Sequence, residues 1–100
     1  MPTQTSEIAA IRKLQQAASA GRVDECRELV ESGVPVDGTV EHMPLTALQF
    51  ASGSGRLDVV KLLIFLGARI DGGVDSSSTP LHHAAMGGHL AVVRELVEVG

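Results

Sequence analysis

Apolar and polar positions along the chain recur with a period of 33 to 34 residues. Moved back by 33, Thr79-Pro80-Leu81-His82-His83-Ala84-Ala85 falls on Thr46-Ala47-Leu48-Gln49-Phe50-Ala51-Ser52, Gly88 falls on Gly55, Gly100 falls on Gly67, and LAVVREL from Leu90 answers LDVVKLL from Leu57. A further shift of 34 carries Leu48 to Leu14, Ala51 to Ala17, Gly55-Arg56 to Gly21-Arg22, Val60 to Cys26, Leu63 to Leu29 and Gly67 to Gly33. The one extra residue falls between Asp37 and Thr46, in a connecting segment, where added length is well tolerated. A fixed period of this size marks a stack of structural units, none of which buries its apolar face alone.

Within each unit the pattern predicts a short helix, a glycine turn, a longer helix and an extended connector. Thr79 stands where a hydroxyl would cap the first helix, and Pro80 at the first helical position, where its missing donor costs nothing. Gly21, Gly55 and Gly88 fall where the chain reverses; Gly33, Gly67 and Gly100 follow the second helices as left-handed caps. Ala17-Ala18, Ala51-Ser52 and Ala84-Ala85 are small enough for neighbouring first helices to approach closely. Cys26, Val60 and Val93 share one expected core position and Leu29, Leu63 and Leu96 another. Asp24, Glu25 and Asp58 lie in the first turn of a second helix, where negative charge meets the positive end of the dipole. At the start of the chain, Ser6 with Glu7 is expected to cap a longer helix running to about Ala20, with Ile8, Ile11 and Leu14 inward and Arg12, Lys13 and Gln15 outward.

The segment TPLHHAAMGGHLAVVRELVEVG, Thr79 to Gly100, resembles the ankyrin repeat, whose signature includes T-P-L-H-x-A. Residues 46–71 match most signature positions but carry Ala47 and Gln49 in place of the usual Pro and His, and residues 7–37 match only in the second half of the unit. The resemblance implies an all-α fold, an ankyrin-type helical solenoid of helix-turn-helix repeats joined by hairpin-like loops. Its units would span about 7–37, 38–71 and 72–100, in a single domain over 1–100 whose first unit is a degenerate cap. Leu81, Val93, Leu96 and Val97 would then lack a covering repeat, so the chain reads as the N-terminal part of a longer protein.

The resemblance also implies a function: a protein–protein interaction scaffold that binds a partner protein or peptide in a concave groove of finger loops and first helices. One finger would be Thr39 to Met43, including Glu41 and His42, with Leu45; the other would be Gly73, Asp75, Ser76 and Ser78. The helices would contribute Phe50, Gly53 and Ser54, then His83, Met86 and Gly87, with Gln16 and Ser19 at the edge. Met43, Phe50 and Met86 would supply apolar contacts. The alternative is a regulatory or targeting portion of a larger enzyme or channel whose chemistry lies beyond Gly100.

Comparison between units adds a second surface. Leu62, Phe65 and Leu66 align with Glu28, Glu31 and Ser32 in the first unit and with Glu95, Glu98 and Val99 in the third, so they are expected to face outward as one stripe beside Val59 on the convex side. The stripe or the uncovered C-terminal end would allow self-association, and the stripe would equally suit a partner or another part of a longer protein.

Composition narrows the rest. Apolar residues make up 44% of the chain and aromatic ones 2%, Phe50 and Phe65, so the core is built from Leu, Val, Ile and Ala. A net charge of −4 gives no basic footprint for nucleic acid. The longest apolar run, Leu62 to Leu66, is far short of a membrane span. A lone Cys26 forms no internal disulfide and the first residues lack a signal-peptide pattern, so an intracellular location, cytoplasmic or nuclear, is expected. His82, His83 and His89 crowd one unit, but His82 belongs to T-P-L-H and His89 to a turn Gly-His pair. No metal site and no cofactor is expected. Cys26 takes the position of Val60 and Val93 and reads as a buried small residue, not a nucleophile. No acid–base constellation falls on the repeat framework, so no enzyme is expected. The run Ser76-Ser77-Ser78 reads as a polar loop, where phosphorylation would place charge within a contact surface.

Overall fold

Thr46 and Thr79 begin the two clearest helix pairs, and each does so with its hydroxyl. Thr46 Oγ1 accepts a hydrogen bond from Gln49 N (3.2 Å) while Gln49 Oε1 accepts one from Thr46 N (2.7 Å), which satisfies two helix-start donors reciprocally. Thr79 Oγ1 accepts from His82 N (3.1 Å), with Pro80 at the first helical position. The computed structural model describes residues 2–71 and 78–100, with side chains from residue 6 onward. Its helices are α1 (Pro2–Ala20), α2 (Val23–Glu31), α3 (Ala47–Ser54), α4 (Leu57–Phe65), α5 (Pro80–Met86) and α6 (Leu90–Val99). The chain is all-α: among the described residues the one extended pairing is an isolated antiparallel bridge between Val40 and Met43.

The first helices α1, α3 and α5 pack side by side in one layer and the second helices α2, α4 and α6 in another. Gly21, Gly55 and Gly88 turn the chain between the layers with φ of 80°, 73° and 73°, and Gly33 and Gly67 close α2 and α4 at 112° and 99°. Gly100 departs from that pattern. Its backbone stays outside the left-handed region, and its amide continues the helical bond to Leu96 O (3.0 Å). The small pairs Ala17-Ala18 and Ala51-Ser52, with Ala84, are buried between neighbouring first helices; Leu14, Leu48, Cys26, Val60 and Leu63 fill the space between the layers.

Three expectations are corrected. Helix α1 is already under way at Pro2, where a missing backbone donor costs nothing, so Ser6 and Glu7 are interior helix positions and not a cap. This longer helix overhangs the stack at its start, which leaves Ile8 49% exposed while Leu14 is buried. The convex stripe is not a stripe: α4 has α2 on one side and α6 on the other, so Val59 and Leu62 (9% exposed) belong to the core and Leu66 packs against it. Phe65 alone points out, at 86% exposure. Glu28 and Glu95 misdirected the alignment because α2 and α6 flank the second-helix layer, where this position is less enclosed. Finally, of the four residues expected to be uncovered at the C-terminal end, Leu81 and Val97 are exposed, as is Leu90. Leu96 is buried and Val93 packs against the core.

Candidate protein-binding surface

The first finger is held by its own backbone and by α1. Val40 N–H donates to Met43 O (3.4 Å) and Met43 N–H to Val40 O (2.9 Å), which closes a tight turn with Glu41 and His42 at the tip. Glu41, His42 and Met43 are exposed, Thr39 is half-buried, and Val40 turns in toward the protein. Behind them lies Gln15, expected outward but only 4% exposed. Its Nε2 donates to Met43 O (3.1 Å) and to Leu45 O (2.8 Å), so the amide fixes the finger to α1.

This tie is periodic. Gln49 stands one repeat after Gln15, and its Nε2 donates to Ser78 O, the counterpart of Leu45 O. A second tie joins the same units at the turns: Arg56 Nε donates to Ser19 O (3.0 Å), and one repeat later His89 Nε2 donates to Gly53 O (3.0 Å). Gly55 leaves room for that ring, since a Cβ there would stand 2.5 Å from His89 Nδ1. Under the connectors, the Asp37 carboxylate accepts from Arg69 N (3.0 and 3.3 Å). Each unit is thus fixed to the next at several points along its height.

These ties hold open two hollows beside Met43. The first, about 210 Å³, lies between finger and first helices and is lined by Met43 and Phe50 with Arg12, Gln15, Gln16 and Ser19. At its side Ser19 Oγ and Ser54 Oγ lie 3.0 Å apart and hydrogen-bond α1 to α3. The second, about 330 Å³, is lined by Ile8, Arg12, Val40, Glu41, His42 and Met43. The structure thus brings together Met43, Phe50, Gln16 and Ser19 from the expected groove and adds Arg12, which the sequence placed outward without a role. His83 continues the row of Gln16 and Phe50 and lies against Gly53, where an added Cβ would be 3.6 Å from its own. Met86 and Gly87 are exposed beyond it. Ser78 is half-buried and its carbonyl is taken by Gln49. Gly73, Asp75 and Ser76, the rest of the second finger, lie outside the described residues.

Two titratable groups among the described residues have shifted pKa values. Burial of its ring, with a smaller contribution from the charge of His82, lowers the pKa of His83 below 6.5, and its Nε2 is buried without a hydrogen-bond partner among the described residues. On the other layer, burial and then the neighbouring Glu25 charge push the Cys26 thiol up to about 11, which suppresses the thiolate a nucleophile needs. Among the described residues no group of three or more His, Cys, Asp or Glu is placed to hold a metal ion. None of the described helices is long and apolar enough to cross a membrane.

Two family models match this architecture: one of ankyrin repeats in many copies covers residues 14–64, and one of a single ankyrin repeat covers residues 77–100. The chain belongs to the ankyrin-repeat family. No curated protein matches it as a relative. Ankyrin repeats are in general non-catalytic modules that bind other proteins. In this ankyrin chain, Gln15 and Gln49 stand at the position of the signature histidine, and their amides tie one repeat to the connector leading into the next. The signal for Gln15 was present in the 34-residue shift that pairs it with Gln49. Arg12 gave no such signal, because its repeat counterparts are the capping residues Thr46 and Thr79.

Proposed function

We propose that the chain is a protein-interaction scaffold and not an enzyme, and that it binds a partner protein or peptide along the groove formed by the first finger and helices α1, α3 and α5. The observation that carries this reading is the hollow lined jointly by Met43 of the finger and Phe50 of α3. Two large apolar side chains frame a recess whose finger backbone is already held by Gln15. A preformed recess spares a partner much of the ordering cost of binding. Met86, exposed on α5, extends the apolar contacts along the same layer. The net charge of −4 supports a protein partner over nucleic acid, and the unpaired Cys26 supports an intracellular setting. Phe65 is left out of the interface because its expected stripe neighbours Leu62 and Leu66 pack into the core, so the stripe does not form an exposed patch.

The test is a photo-crosslinking amino acid placed in turn at Phe50, Met86 and Phe65 in the chain expressed in its own cell. Protein adducts are expected from the first two positions. Adducts confined to position 65 overturn the reading.

A further inference from the structure

The hollow between Met43 and Phe50 measures about 210 Å³, below the roughly 300 Å³ at which small-molecule pockets begin. Its size suits a single side chain, and its walls set which kind. Met43 and Phe50 supply the apolar wall, and the Nε2 donor of Gln15 is already committed to Met43 O and Leu45 O. The group that enters is therefore apolar.

The rim carries a charge without a partner among the described residues. Arg22, Arg27 and Arg69 each pair with a carboxylate and Arg56 donates to Ser19 O, while Arg94 on α6, away from the hollow, pairs with no other described residue. Arg12, exposed and lining both hollows, makes no ion pair or hydrogen bond with another described residue. It is the one charged residue lining the smaller hollow. Arg12, Gln16 and Ser19 follow one another at helical spacing on a single face of α1, and all three line the smaller hollow together with Phe50. An exposed arginine with its fork unoccupied beside an apolar recess is complementary to a carboxylate carried next to an apolar side chain.

We propose that the hollow takes one apolar side chain of an extended partner peptide while Arg12 pairs with an Asp or Glu of the same peptide, within two positions of it. This rests on the reading of the groove as the binding surface and adds to it the chemistry of the partner. Because the whole chain carries a net charge of −4, the acidic residue is recruited by the local Arg12 and not by the overall field. The interaction weakens as salt rises.

The experiment selects a display library of random peptides, about 12 residues long, on the intact 100-residue chain. Enriched peptides are then measured by fluorescence anisotropy against Arg12→Glu and Phe50→His, the latter carrying the residue of the third unit at the same position; thermal melts verify that both variants fold. The selected peptides are expected to share an apolar residue with Asp or Glu within two positions. Arg12→Glu is expected to weaken them about tenfold or more, with affinity restored when the acidic residue is changed to Lys. Peptides with no shared acidic position, undiminished binding to Arg12→Glu, or a selection that enriches nothing overturns the proposal. If Arg12→Glu is silent but Phe50→His weakens binding, the groove stands and the charged contact falls; if both are silent, the groove reading falls as well.

Discussion

Ser52 Oγ is buried with no hydrogen-bond partner among the described residues, at a position where the neighbouring units carry Ala18 and Ala85. A hydroxyl taken out of water without a partner destabilises, so Ser52→Ala is expected to raise stability by about 1 kcal/mol, read as a higher midpoint in urea denaturation. His83 behaves in a related way through its charge. Its folded pKa lies below the ordinary value of 6.5, so the folded state binds fewer protons than the unfolded one as that value is crossed. The stability associated with a neutral His83 is complete above 6.5 and is lost as pH falls through the lower folded value. Thermal melts at about pH 7.5 and about pH 5.5 are expected to differ less in His83→Phe, which copies Phe50, than in the natural chain. At this scale the sequence was informative where a residue has repeat counterparts of similar chemistry. Cys26, aligned with Val60, is buried as expected. Leu62, aligned with Glu28 and Glu95, was misread as outward, because the alignment compares identities and not how enclosed each helix is.

Among the elements, the glycine turns were the most legible, since no other residue fits them at comparable cost, and they separate into two kinds when tested. Gly67 lies at φ 99° with open space around its Cα, so Gly67→Ala carries only the left-handed strain, about 1 kcal/mol. Gly55, at φ 73°, also faces the His89 ring, and Gly55→Ala is expected to cost about 2–4 kcal/mol. Chemical denaturation of the two variants side by side checks the difference. Helix starts were legible at Thr46 and Thr79 but not in α1, which has no comparable Thr cap and runs on from Pro2. The tie between units was illegible as such: Gln49 looked like a departure from the family pattern, and only the structure gives its amide two jobs, Thr46 N and Ser78 O. Gln49→Leu removes both and is expected to cost about 2–3 kcal/mol. Gln49→His, which restores the third unit's residue, is expected to cost less than half as much.

For the whole molecule, position in the stack decides what a residue contributes. Leu48 and Leu81 are the same residue of successive units, yet Leu48 is 0% exposed and Leu81 39%. Leu48→Ala is expected to cost about 3 kcal/mol and Leu81→Ala under about 1 kcal/mol, by the same urea titration. The alternation of first and second helices followed from the period, whereas the expectation of a groove came from the family resemblance. Arg12's place beside the groove followed from neither, because it depends on how far α1 overhangs. One consequence concerns the frame that holds the units together. The inter-unit bonds of Gln15, Gln49, Arg56 and His89 all end on main-chain carbonyls, those of Met43, Leu45, Ser78, Ser19 and Gly53. A carbonyl survives any substitution of its residue, so the spacing of the units is insulated from the identity of the side chains displayed between them. The surface at Gln16, Phe50 and His83 can be rewritten for a different target without resetting the frame that presents it.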